Sequence, residues 1–332
     1  MSETTAQLRV VFAGSPVFAV PSLEALLSSP EIDVPLVVTQ PDRPSGRGRK
    51  LRPPAVKVSA EAHGIPVFQP ETLRDEAAFS RLEAAEPDVI VVVSYGEILT
   101  RKVLELPAHG CLNVHPSLLP VYRGSLPIQA PILNGDPETG VSIIKLVRRM
   151  DAGPIVYQEP YPLNGHETAG DLGKTLAELA ASRLPGVVLR WGRGEITPVE
   201  QDESRASYTR ELTRADAEVD WEWSGEYIER FVRAMYPWTR AWSTIRENRL
   251  TINQVTLANA QEAAGYPPGT VMMGSNGVMV SAGDGVVVLE QVQPAGKNSM
   301  HAVDWLRGMQ TTEPMRFDPA NSERDPLIFT RE

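Results

Sequence analysis

The chain has 332 residues, 42 % of them apolar, and a formal net charge of −10. That length suggests about two domains at roughly 150 residues each, and the apolar share is enough to bury cores of ordinary size, so disorder is not the default. A single cysteine, Cys111, excludes an internal disulfide, no run approaches the ~18 apolar residues of a membrane span, and the start MSETTAQL has neither an apolar signal core nor an Arg-rich leader. A soluble cytoplasmic protein is expected.

In chain order, LRVVFAG (8–14) reads as a β-branched strand ending in glycine, and PSLEALLSS (21–29) as a helix with Pro21 in its first turn. VPLVVTQ (34–40) is a second strand. Residues 54–64 have helical spacing and stop at Gly64, 66–68 are extended, and 72–86 are a charged helix. DVIVVVSYG (88–96), the most apolar run, fits a central parallel strand buried on both faces. Strands follow at 110–117 and 140–150, then a long helix over 168–190, broken at Pro185. This alternation implies an open, mostly parallel, Rossmann-like α/β sheet with its site at the strands' carboxyl ends.

Past Trp191 the pattern changes. Residues 192–213 are polar and aperiodic, as a linker is; a helix at 225–235 and strands near 241–246, 249–257, 269–273, 277–282 and 285–293 follow. Asn276-Gly277 and Asp284-Gly285 punctuate these strands as hairpin turns do. The expected organisation is a catalytic α/β domain over 1–191, a linker over 192–213 and a small C-terminal OB-like β-barrel over 214–332.

Candidate chemistry concentrates in CLNVHPSLLPVYRG (111–124). Side chains two apart on a strand share a face, so Asn113 and His115 point the same way just before Pro116 ends the ladder. A carboxamide donor beside an imidazole suits acyl transfer to an amine: one stabilises the oxyanion, the other moves protons. Asp151, in RRMDAGPI, ends the next strand and could orient that imidazole. Spacing leaves open that Asn113 and His115 only satisfy backbone groups and that Asp151 only makes an Asx-turn. FAGSP (12–16) offers backbone N–H groups at a strand–helix turn but is not a dinucleotide fingerprint. Cys111 reads as packing, and the other four histidines show no metal-ligand spacing.

The segment DRPSGRGRKLR (42–52) sets Arg43, Arg47, Arg49, Lys50 and Arg52 against one acid in an otherwise acidic chain. It suits a flexible arm that orders on phosphates or a base pair; the alternative is a solvated loop.

NVHPSLLPVYRG together with MDAG resembles the folate-dependent formyltransferase superfamily. The resemblance implies that Asn113, His115 and Asp151 are the catalytic set. It also implies that Ser117, Leu118, Leu119 and Pro120 line the folate site and that, by the match to SYGEIL, Tyr95, Gly96, Ile98 and Leu99 lie beside the pterin. The donor it implies is 10-formyltetrahydrofolate, with no metal.

Residues 39–60 resemble the loop that the tRNA-acting branch of this superfamily inserts into the acceptor-stem end of initiator tRNA, with Arg47 reaching the unpaired first position. QDE (201–203), DW (220–221), PW (237–238) and GDGVVVLEQVQPAGK (283–297) are similar to that branch as well. Initiator methionyl-tRNA is then the expected partner, met by a monomer without membrane or obligate protein partner. Rival readings are a sugar-nucleotide formyltransferase, for which the basic loop is incidental, and a non-catalytic RNA-binding protein. The chain departs from the usual pattern at Val121, at Ser125 and Leu126, at Pro154 and at Asn298.

Overall fold

The computed structural model describes residues 7–45, 50–258, 265–309, 315–320 and 325–330. Its first layer is a twisted sheet of seven strands: β1 (Leu8–Gly14), β2 (Val37–Val38), β3 (Val67–Phe68), β4 (Val89–Val93), β5 (Cys111–His115), β6 (Glu138–Lys145) and β7 (Ile155–Pro162). They lie in the order β7-β6-β5-β4-β1-β2-β3, with the pair Ile32–Asp33 added beside β1. β1 to β5 are parallel, whereas β6 runs antiparallel to both β5 and β7. The sequence reading finds the five parallel strands but not β7. This edge strand mixes polar and half-exposed residues (IVYQEPYP) and so lacks a continuous apolar run.

β4 is VIVVV, buried along its whole length, because helices cover both faces of the sheet. Val10, Phe12, Val91, Leu112 and Val114 face one core, shared with Leu23 and Leu26 of helix Val20–Leu27 and with Leu172, Leu176 and Val188. Val11, Ala13, Ile90, Val92 and Cys111 face the other, beneath Phe79 and Leu82 of helix Glu76–Glu83. Side chains along each strand alternate between the two cores, as a doubly wound sheet requires.

Helix Ala169–Gly192 runs unbroken through Pro185, against expectation. An interior proline costs a helix ~3 kcal/mol. Here Leu184, Val187 and Val188 flank it in the core, and burying such side chains, each worth roughly 1.5–3 kcal/mol, offsets that cost.

The second layer is an antiparallel sheet. β8 (Ala241–Ile245), β9 (Asn248–Ala258), β10 (Thr270–Gly274), β11 (Gly277–Ser281), β12 (Val286–Pro294) and β13 (Met315–Arg316) lie in the order β8-β9-β12-β11-β10-β13. Beyond β13 the Asp318 N–H donates to the Thr244 carbonyl of β8 at 2.8 Å, so the two edges of the curled sheet meet. All five expected strands are present, and helix Gly225–Met235 closes one side with Ile228, Phe231, Val232 and Met235 buried. A small three-stranded sheet joins the halves: Tyr208–Thr209 pairs with Arg123–Gly124 on one side and with Ile328–Phe329 on the other. Among the described residues, no helix is long and apolar enough to cross a membrane.

Candidate active site

The carboxyl ends of β1, β4 and β5 converge, and the first turn is knit to its neighbours. A Cβ on Gly14 would lie 2.8 Å from the Val93 carbonyl, so only glycine lets β1 close against β4 there. Ser15 then ties the strand ends: its hydroxyl donates to the Tyr95 carbonyl and accepts from the Gln40 N–H at 3.1 Å. FAGSP therefore spends this hydroxyl on the scaffold, while Pro16 and Phe18 reach the cavity beyond.

On β5 the two-residue period holds. Leu112 and Val114 turn into one core, and Cys111, Asn113 and His115 share the opposite face. Asn113 pairs in register with Val92 and Ile144, and His115 with Ser142. Among the described residues no group hydrogen-bonds the Asn113 carboxamide, which borders the cavity half-buried. His115 is buried; its Nε2 lies 3.0 Å from the Tyr122 carbonyl and its Nδ1 lies 3.8 Å from Asp151 Oδ2. That same carboxylate oxygen accepts from the Gly124 N–H at 2.8 Å. Asp151 comes from a turn that doubles back after β6. Its own φ is +49°, and the turn is so close that a Cβ on Gly153 would sit 1.8 Å from the Lys145 carbonyl. The three side chains named from spacing and resemblance therefore meet at one place.

They open onto a cavity of about 680 Å³. Tyr95, Gly96, Ile98 and Leu99 line it, with Phe18, Val92, Leu104 and Leu146. At its mouth Ile98, Val147 and Met150 are largely exposed, an apolar rim suited to a flat ligand. The Tyr95 hydroxyl is buried without a hydrogen-bond partner among the described residues. Burial, and then the nearby Glu97 carboxylate, holds that phenol protonated. It is a spare polar atom among the apolar side chains of Val92, Ile98 and Leu99 on that part of the wall.

Ser117, Leu118, Leu119 and Pro120 do not line this cavity. Ser117 is fully buried and donates to the Val121 carbonyl, the Leu119 N–H donates to Ser142 Oγ at 3.0 Å, and Leu118 packs against Gly140. The segment fixes the loop that carries Tyr122 and Gly124 round to His115 and Asp151. Of the departing positions, Ser125 lines the cavity, whereas Leu126 is buried in the core and Pro154 accepts from the Lys145 N–H to close the Asp151 turn.

The basic arm is a hairpin, Arg43–Ser45 against Lys50–Arg52, with Arg43 directly opposite Arg52. Arg43, Lys50 and Arg52 are exposed, and Arg43 has only a loose 3.7 Å pairing with Glu71. Arg47 and Arg49 lie outside the described residues. Asp42, the one acid, is engaged at the hairpin's base by Gln69 Nε2 at 2.8 Å and Lys57 Nζ at 3.0 Å; these hydrogen bonds hold its carboxyl below the usual range.

Sequence reasoning gave no role to Tyr122, Arg123 and Gln201, although they lie within the matched NVHPSLLPVYRG and QDE segments. Arg123 is fully buried, and burial penalises the charge of its guanidinium. Its hydrogen bonds to Glu203 and Tyr208 outweigh that burial, and its pKa is raised overall. Gln201 lies 78 residues from Arg123 and 50 from Asp151 yet touches both. No local spacing announces contacts of that range.

Residues 8–188 match the family described as "Formyl transferase", and residues 211–310 match "Formyl transferase, C-terminal domain". A methionyl-tRNA formyltransferase of Roseiflexus castenholzii is 46 % identical over 305 residues, covering 92 % of this chain and 97 % of that one. The methionyl-tRNA formyltransferase of Chloroflexus aurantiacus is 45 % identical over 304 residues, covering 91 % and 97 %. Among solved structures, an N-formyltransferase from Helicobacter canadensis in complex with folinic acid and dTDP-3-aminofucose matches with a TM-score of 0.63, covering 85 % of this chain and 99 % of that one. At 21 % identity that likeness is one of fold.

Proposed function

This chain belongs to the methionyl-tRNA formyltransferase family, and from that premise we propose how its own residues carry the reaction. It formylates the α-amino group of methionyl-initiator tRNA, giving the formylmethionyl-tRNA used to begin translation. The formyl donor is folate-type, and we assign it as 10-formyltetrahydrofolate. The observation that supports this assignment is the convergence of Asn113, His115 and Asp151 on one cavity that also has an apolar rim.

The uncharged amine of the methionyl ester adds to the formyl carbon, and the carbon–N10 bond then breaks. The nitrogen gains a carbon and loses a proton, and N10 of tetrahydrofolate leaves with one. Asn113 has a carboxamide unengaged among the described residues on the cavity wall, and its N–H donates to the oxygen on which negative charge develops. One such preorganised donor is worth about 10²–10³ in rate. His115 carries the proton from amine to N10 through Nδ1, because Nε2 is committed to Tyr122. Asp151 pairs with Nδ1 while it is protonated. Tyr95, Gly96, Ile98 and Leu99, with the apolar rim, hold the flat ring of the donor. Ser117 to Pro120 set the loop behind it.

The tRNA is gripped through its phosphates. Arg43, Arg47, Arg49, Lys50 and Arg52 supply a basic arm on an acidic protein, and the C-terminal sheet supplies the remaining surface. The test is formyl transfer from 10-formyltetrahydrofolate to methionyl-initiator tRNA, beside elongator methionyl-tRNA and an amino-sugar nucleotide. Transfer to the initiator alone is the expected result. Transfer only to the sugar nucleotide would overturn the reading of the arm and leave the fold intact.

A further inference from the structure

Gln201 lies between the two family-matched segments, in the stretch that reads from sequence as a linker. Its position in space is unlike that of a linker residue. Its Nε2 donates to the Asp151 carbonyl at 2.8 Å and to the Gly153 carbonyl at 2.6 Å. Its Oε1 accepts from Arg123 at Nε (3.1 Å) and Nη2 (2.7 Å). Both ends of the amide are therefore specified. A flipped amide would set its N–H₂ against a guanidinium and its oxygen against two carbonyls, so one orientation survives.

Arg123 is in turn immobilised. It is fully buried, hydrogen-bonded to Glu203 and to the Tyr208 hydroxyl. Glu203 also pairs with Arg149, two residues before Asp151. Next to Arg123, the Gly124 N–H donates to the Asp151 carboxylate oxygen that faces His115. The result is a closed ring. Asp151 is held at its side chain by Gly124 and at its backbone by Gln201, and both reach back to Arg123.

Asp151 needs this double hold. Its φ of +49° lies in the left-handed region, which Asp enters more readily than most residues other than Gly, but its turn is otherwise exposed from Arg148 to Met150.

We infer that Gln201 is a positioning residue for formyl transfer, fixing the exposed Asp151 turn so that its carboxylate stays against His115. This rests on the reading of Asp151 above. Its consequence is that the segment between the two family-matched regions is part of the catalytic architecture and sets the rate.

Gln201→Glu is the informative variant in the full-length enzyme. It keeps an oxygen for Arg123 but replaces the two donors facing Asp151 and Gly153 with an acceptor. The expected result is a kcat lowered roughly 10–100-fold, as small misplacements of catalytic groups give, with KM for methionyl-tRNA within about threefold. Combined with Asp151→Asn, it should cost no further activity, because the group it aims is already gone. A KM increase at unchanged kcat, or losses that multiply in the double variant, would mark Gln201 as a structural clip and overturn the inference. Asp151→Asn alone separates the two readings. If it impairs kcat while Gln201→Glu does not, only the positioning role fails; if it leaves kcat intact, the role of Asp151 fails first. Should Gln201→Glu not fold, Gln201→Asn, too short to span Arg123 and both carbonyls, is expected to show the same split.

Discussion

The Tyr122 carbonyl lies 3.0 Å from Nε2 of His115, and a carbonyl can only accept. Nε2 therefore keeps its hydrogen whether the ring is neutral or charged, and Nδ1, facing Asp151 at 3.8 Å, is the nitrogen that exchanges protons. Tyr122 is itself held hard: its N–H donates to Ser207 Oγ at 2.9 Å and its hydroxyl to Asp136 Oδ2 at 2.5 Å. Replacing His115 with Ala should lower kcat for formyl transfer by about 10²–10⁴, the usual worth of a general acid–base group. A loss of only a few-fold in a steady-state formylation assay would remove His115 from the proton path.

Asn113→Ala should cost about 10²–10³ in kcat, the worth of one oxyanion donor, and leave thermal stability near that of the parent. The stability half follows from burial. The carboxamide has no partner among the described residues to orphan, whereas its strand neighbours Leu112 and Val114 are in the core. A fall in melting temperature matching the loss of rate would assign Asn113 to the scaffold instead.

Asp151, expected at the end of a strand over 140–150, lies instead in the turn beyond β6, which ends at Lys145, and is legible through the MDAG match. Asn113 and His115 are legible because strand periodicity is local: they stand two residues apart on β5. The sheet is legible for the same reason, in apolar runs such as 89–93. What escapes a reading of the sequence is set by residues distant in the chain. β7 is a half-exposed edge strand, helix 169–192 survives Pro185 through tertiary packing, and the QDE match gives Gln201 no role until Arg123 and Asp151 are placed beside it. Ser117 to Pro120 show the converse: a motif adjacent to the site in sequence supports the wall of the cavity from behind.

Cys111 shares the face of Asn113 but is buried, and burial pushes its thiol from 9.0 up to about 12. Alkylating reagents at pH 8 should therefore leave the folded protein unlabelled and react only as it unfolds. The folded pKa is raised, so the thiol's contribution to stability is complete below 9 and is lost as pH rises toward 12, where only the unfolded chain has released its proton. Over that window the parent should lose about 1.4 kcal/mol per pH unit relative to Cys111→Ala. Parallel pH–stability curves for the two proteins would show the thiol to be solvent-accessible after all.

The hairpin arm makes the sharpest claim about the tRNA. Arg43 opposes Arg52 across its two strands, and directly opposed like charges destabilise a β pair. Asp42 cannot relieve this, because it is already bound by Gln69 and Lys57 at the base. Such a pairing is favourable when an anion lies between the cations, and a phosphate backbone provides a row of them. Binding of methionyl-initiator tRNA should therefore weaken steeply with salt. Replacing Arg43, Lys50 and Arg52 together with Ala should reduce the slope of log K against log salt by roughly 0.7–0.9 for each phosphate no longer neutralised. The same variant should raise KM for tRNA while preserving kcat at saturation, since Arg43, Lys50 and Arg52 stand apart from the cavity that holds His115 and Asp151. Unchanged affinity at about 50 and 200 mM salt, measured by filter binding, would reduce the arm to a solvated loop and move the burden of tRNA recognition to the C-terminal sheet.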